Sequence, residues 1–261
     1  MKRLLIVALI ATAAMAIGPP AARAAGAKAP QETEAQDAQT QFEALAKEFT
    51  ALERAYRSKY RKATAEERKA MASEAPDIEP VIADMLALAK AHPKSEGAGQ
   101  ALNWVWMRAK RSEDPSRSEM ALKTLLKDYG DAAVMEDVAR SLARSSGDDR
   151  PFAVEVLTSL AEDSPRDLVR KHAKFGLAGL LEDEQPEKAI ALYEACKAYD
   201  DVVLYRDVTI ADKAEGALYE LRNLRVGMTA PEIEHADADG VTFKLSDYRG
   251  KVVLLDFWGH W

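Results

Sequence analysis

The chain has 261 residues, a formal net charge of −7 and 48% hydrophobic residues, which suffices for one large or two small domains with a sizeable core. Setting aside residues 1–24, which hold Lys2, Arg3 and Arg23 and no acid, takes the balance from −7 to −10. A body this acidic argues against nucleic acid or an anionic membrane surface as a partner.

The chain opens with two positive charges, Lys2 and Arg3, followed by an apolar run from Leu4 to about Ile17. Gly18, Pro19 and Pro20 break the run, and Ala22-Arg23-Ala24 gives a small-x-small cleavage pattern. Residues 1–24 therefore read as a secretory signal peptide cut after Ala24, with export to a periplasm or the outside. The run is short for a transmembrane helix, and an uncleaved anchor is the alternative. One cysteine, Cys196, leaves no internal disulfide to hold an exported chain, so packing alone must do so.

Residues 25–40, AGAKAPQETEAQDAQT, are small and polar and lack large apolar side chains. They are expected to form a disordered linker, because they bury too little surface to offset ordering entropy. The helical region is expected over 41–225. Phe42, Leu45, Phe49, Leu52 and Tyr56 step by three and four, the spacing of one helix face. Thr64 and Glu67 match a capping box, and Pro80 suits the first turn of a helix ending before Pro93. A further helix covers EGAGQALNWVWMRAK, in which Trp104 and Trp106 lie two apart and cannot share a face. One is read as core and the other as core or a contact surface. The next helix ends at Gly130, expected as a left-handed cap. Helices follow at about 132–145, 150–162, 165–182, 186–199 and 209–225, with Gly147, Pro151, Pro165 and Pro186 as punctuation.

Starts near 115, 150 and 186 recur at about 35 residues, two helices to a unit, as in stacked helical hairpins of the tetratricopeptide kind. Ala189, Tyr193 and Cys196 stand where that repeat favours a small, an aromatic and a small residue. The rest of its consensus is poorly kept, so the region reads as a degenerate helical repeat. Cys196 shares a face with Ala189 and Tyr193 and is expected as a small core side chain, not a reactive thiol, which needs an exposed cationic site.

The texture changes at residue 226. The segment RVGMTAPEIEHADADGVTFKLSDYRGKVVLLDFWGHW carries glycines, a proline, β-branched runs and Asp239-Gly240, a hairpin signal. Its run KVVLLDFW is continuously apolar, as in a strand buried on both faces of a sheet. The expected architecture is mostly α: a helical-hairpin domain followed by the N-terminal part, hairpin plus central strand, of an α/β domain over 226–261.

The residues Gly227, Ala230, Pro231, Asp237, Gly240, Leu245, Ser246, Tyr248, Gly250, Lys251, Phe257, Trp258 and Trp261 carry a resemblance. Their pattern resembles the opening of the thioredoxin-like redoxins, the TlpA-like and AhpC/TSA group. The signal combines many positions at fixed spacing over about 36 residues. The resemblance implies thiol–disulfide oxidoreduction on a protein or small disulfide substrate, with peroxide reduction as a weaker variant. It implies a Cys-x-x-Cys directly after the second Trp, at a helix N-terminus whose dipole stabilises the thiolate.

Trp261 is the last residue, so the implied nucleophile is not in the sequence. Three readings compete: a gene cut by a frameshift or premature stop, a UGA codon for selenocysteine read as a stop, and a genuine non-catalytic product. By the same resemblance, Asp256 is the candidate proton relay, a buried acid beneath the redox centre. Trp261 flanks the nucleophile. Trp258 and His260 are assigned to the substrate surface, with core packing and solvent exposure as their respective alternatives.

His92, His172 and His235 lie far apart without ligand-spaced partners, so no metal site is expected. No Gly-rich phosphate loop, G-x-S-x-G or H-E-x-x-H is present, and no cofactor is expected. The charge clusters ERAYRSKYRK and EERK read as solvated helix faces. The leading expectation is an exported redoxin. The alternative is a non-enzymatic helical interaction protein, and the chain as it stands is expected to be inactive.

Overall fold

A computed structural model describes residues 30–256 and Gly259. The expected signal peptide lies outside the described residues, as do Trp258, His260 and Trp261. The fold is mostly α, as expected: α1 (Pro30–Lys62), α2 (Ala65–Ala70), α3 (Glu79–Ala91), α4 (Glu96–Arg108), α5 (Ser116–Asp128), α6 (Met135–Leu142), α7 (Arg150–Asp163), α8 (Asp167–Leu181), α9 (Pro186–Cys196) and α10 (Ile210–Asn223). Two short hairpins accompany them, β1 (Val203–Tyr205) with β2 (Val208–Thr209) and β3 (Glu234–Ala236) with β4 (Thr242–Lys244).

Helix α1 begins at Pro30, so residues 30–40 are helical and not the expected linker. Small side chains here serve close approach. Ala38 is fully buried, and a Cβ built on Gly97 of α4 would lie 2.5 Å from the Ala38 carbonyl carbon and oxygen. The two backbones pack almost in contact, and Gln39 Nε2 donates to Gln100 Oε1 at 3.1 Å. Tertiary packing against α4 thus supplies what the segment's own composition lacks. Farther along, Phe42, Leu45, Phe49 and Tyr56 face inward, and Phe49 meets Trp104 edge-on at 5.5 Å. Leu52 leaves that face and is 53% exposed. Glu53 takes the position instead and pairs with Arg108 at 3.9 Å.

Helix α4 packs against α1, α3 and α5, which is why it is buried nearly all round: Ala98, Ala101, Leu102, Trp104, Val105 and Trp106. Trp104 and Trp106 are both core, on different sides of one enclosed helix. Neither is a contact surface. Ser95 caps α4, accepting from the Ala98 N–H at 3.2 Å. The Thr64–Glu67 capping box forms, and Pro80 occupies the first turn of α3. Tyr129, not a left-handed Gly130, caps α5 with φ −126°, and its hydroxyl accepts from the Lys94 N–H at 2.9 Å.

Helix α8 plays the corresponding part in the later half, packing on α6, α7 and α9. It buries Val169, His172, Ala173, Leu177, Ala178, Leu180 and Leu181. Helix α10 closes against α9 after the β1–β2 hairpin. Among the described residues, the buried hydrophobic core runs from Ala38 to Leu221.

Candidate functional site

The segment after Arg225 is assembled from its own turns. Strands β3 and β4 pair antiparallel with Glu234 opposite Lys244, His235 opposite Phe243 and Ala236 opposite Thr242. The turn between them is made by Asp237, whose Oδ1 accepts from the Asp239 and Val241 N–H groups, both at 2.9 Å. Gly240 follows with φ +82° in open surroundings. The turn therefore demands glycine for its backbone and not for space. Across the strands Lys244 Nζ pairs with Glu234 Oε2 at 3.1 Å. The LSDY stretch forms one short 3₁₀ turn (Leu245–Tyr248), and the Lys244 N–H donates to Asp247 Oδ2 at 3.1 Å.

One residue of this segment was missed by the sequence reading. Glu232 sits after Pro231 and its Oε1 accepts from the Ser246 and Ile233 N–H groups, each at 3.1 Å. Hydrogen bonding from Ser246 holds its carboxyl below the ordinary value. Glu232 therefore ties the lead-in to the LSDY turn, aided by the Leu245 N–H donating to the Ile233 carbonyl at 2.9 Å. The only signal was an acid two residues before the hairpin's first strand, which many loops share.

Residues 252–256 differ from expectation. They are not in a strand, and Val252, Val253, Leu254 and Leu255 are exposed, Val252 and Leu254 almost wholly. A strand exists through its ladder, and among the described residues none runs alongside this stretch. Asp256 is exposed for the same reason. The desolvation that a relay acid relies on is not supplied by the described residues. Among the described residues, Asp256 is therefore brought together with no other functional group. Trp258, His260 and Trp261 lie outside the described residues.

Cys196 is fully buried in α9 beside Ala189 and Tyr193. Burial pushes its thiol up to about 12, with Lys174 pulling weakly the other way. It is chemically inert at neutral pH. Tyr193, also raised by burial, donates its hydroxyl to Glu182. A groove of about 340 Å³ lies between α5 and α7, lined by Trp106, Leu122, Leu142 and Phe152. Several of its polar groups are already engaged: Ser118 Oγ donates to the Trp106 carbonyl at 2.7 Å, and Lys110 pairs with Asp149 at 2.5 Å.

With that geometry in hand, the similarities fall on a short stretch. A 36-residue segment is 53% identical to the thiol-disulfide oxidoreductase ResA of Geobacillus thermodenitrificans (strain NG80-2), covering 14% of this chain and 21% of that protein. A 36-residue segment is 56% identical to ResA of Geobacillus kaustophilus (strain HTA426), with the same coverage. The chain thus spans about a fifth of the length of the curated relatives it matches. No protein-family model matches the chain, and no solved structure matches it. The helical region therefore gains no family from these comparisons.

Proposed function

We propose that residues 226–261 are the opening of a thioredoxin-like thiol–disulfide oxidoreductase unit, set behind an exported helical region. The observation that carries this reading is the 36-residue similarity to two thiol-disulfide oxidoreductases. It has the length of the segment 226–261, on which the sequence resemblance rests. The turn chemistry supports it physically, since Asp237 and Gly240, two motif residues, make the hairpin.

Chemistry of this class needs a thiolate that attacks a disulfide sulfur, and a second thiol that resolves the mixed disulfide. Cys196 is excluded from that role by its burial. The attacking group in this reading follows Trp261, as a thiol or a selenol. Asp256 would move a proton to or from the resolving thiol once a neighbouring strand buries it. Trp258, His260 and Trp261 would border the protein or small disulfide substrate. The basic, apolar and small-residue pattern of residues 1–24 supports export, where such exchange has substrates.

The test reads the codons that follow the one for Trp261. Cysteine or UGA in frame, with cysteine three codons later, supports the proposal. Unrelated sequence overturns it. On the 261-residue chain itself, an insulin-reduction assay is expected to show no turnover, and turnover would require a thiol other than the one described. The burial of the chain's one thiol also favours a second reading, a non-catalytic helical interaction protein. That reading expects the 261-residue chain to be soluble and monodisperse, whereas an enzyme fragment with exposed Val252–Leu255 is expected to aggregate.

A further inference from the structure

Helix α1 has a charge pattern of which its own chain uses little among the described residues. Residues 30–50 hold Glu32, Glu34, Asp37, Glu43 and Glu48 against Lys47 alone, and residues 51–62 hold Arg54, Arg57, Lys59, Arg61 and Lys62 against Glu53 alone. One half carries −4 and the other +4. The helix dipole favours this sense, but its influence fades within the terminal turns. Glu43, Glu48, Arg54 and Arg57 all lie deeper than that. Among the described residues, the ion pairs made by α1 both go to Glu53, from Arg57 at 3.4 Å and from Arg108 at 3.9 Å. Asp37, Glu48, Lys59 and Lys62 have no ion pair among the described residues.

The inner face of α1 is occupied by α3 and α4. A flank roughly a third of a turn from it is unpartnered among the described residues. It presents Asp37, Gln41, Ala44, Glu48, Ala51, Ala55 and Lys62, all exposed, with Leu52 at its edge. These positions advance by alternating three and four residues (the last step spans a full seven), the seam spacing of paired helices. The pattern is also palindromic. Turned about a point between residues 49 and 50, Asp37 falls opposite Lys62, Ala44 opposite Ala55, and Glu48 opposite Ala51. Parallel alignment in register would instead set acid on acid and base on base.

We propose that the chain forms a symmetric dimer through this face, α1 packing antiparallel on α1 of a second copy. A two-fold axis makes each contact twice, so every acid–base match counts double. The small residues Ala44, Ala51 and Ala55 let the helix axes approach closely, and Leu52 adds apolar area. This assignment is independent of the redox reading of the C-terminal segment.

The experiment uses the full chain. Sedimentation equilibrium is expected to show a dimer that weakens as salt rises. Ala44→Cys with Ala55→Cys, mildly oxidised, is expected to give a covalent dimer, and either substitution alone is not. Within one chain these positions are about 16 Å apart along the helix, too far to bond to each other. Lys62→Glu sets like charges opposite each other twice and is expected to raise the dimer dissociation constant by about tenfold. Asp37→Lys added to Lys62→Glu is expected to restore it, while the helical circular dichroism stays unchanged throughout. A monomer at all concentrations overturns the proposal. So do crosslinks that form equally with either single cysteine, and a dimer indifferent to both charge changes.

Discussion

Cys196 sits on α9 in line with Ala189 and Tyr193, and its role was legible because the spacing of seven and three puts all three on one face. Its thiol is expected to be silent to an aromatic disulfide reagent in the native protein and to react fully, one per chain, in denaturant. Rapid native reaction would contradict the packing. His172 was not legible in the same way, since its neighbours Lys171 and Ala173 reveal nothing of its surroundings. It is 4% exposed in α8, and burial, helped by Arg140, holds its pKa below the ordinary 6.5 while Glu136 and Asp137 oppose. The unfolded chain therefore binds a proton that the folded chain resists between the lowered value and 6.5. The stability this contributes is fully present above pH 6.5 and is lost as pH falls through the folded pKa. Chemical denaturation across pH 7 to 5 is expected to show that fall, and His172→Leu is expected to flatten it.

At the scale of the element, most helices were legible because caps and periodicity agreed: the Thr64–Glu67 box and Pro80 each mark a real start. Two elements were not. The β1–β2 hairpin turns through Arg206 at φ +50°, a residue that carries no turn signal. The first three turns of α1 read as linker because a buried alanine at a close crossing looks, in sequence, like a solvated one. Gly97 measures that crossing. Gly97→Ala would place its methyl against the Ala38 backbone, which cannot swing aside as a side chain can. It is expected to cost about 1–3 kcal/mol despite alanine's helix propensity. Gly216→Ala in α10 meets nothing within 4 Å and is expected to stabilise by about 0.5–1 kcal/mol. Opposite signs in thermal unfolding would confirm that the crossing, not the propensity, decides.

Across the whole molecule, packing is unequal. The helices share one core from Phe49 to Leu221, centred on α4 and α8, whereas 226–256 contributes no buried hydrophobic residue to it. The hairpin was legible from Asp239-Gly240, a local signal. The state of KVVLLD was not, because an apolar run specifies a strand only when other strands are present to receive it. Brief trypsin treatment is accordingly expected to cut first at Lys244, Arg249 and Lys251, leaving the helical region whole. First cuts within α3 to α10 would show that the core is less cohesive than its burial implies.

That inequality also sets an order in time. A ribosome or a translocation channel delivers α1 through α10 before the first residue of the hairpin emerges, and those helices need nothing later in the chain to close their core. The earlier region can finish folding while Val252–Leu255 is still unpartnered. The interval during which that stretch can meet the wrong neighbour thus begins only after the helical region has been made. A folded helical body is then already attached to keep the chain dispersed.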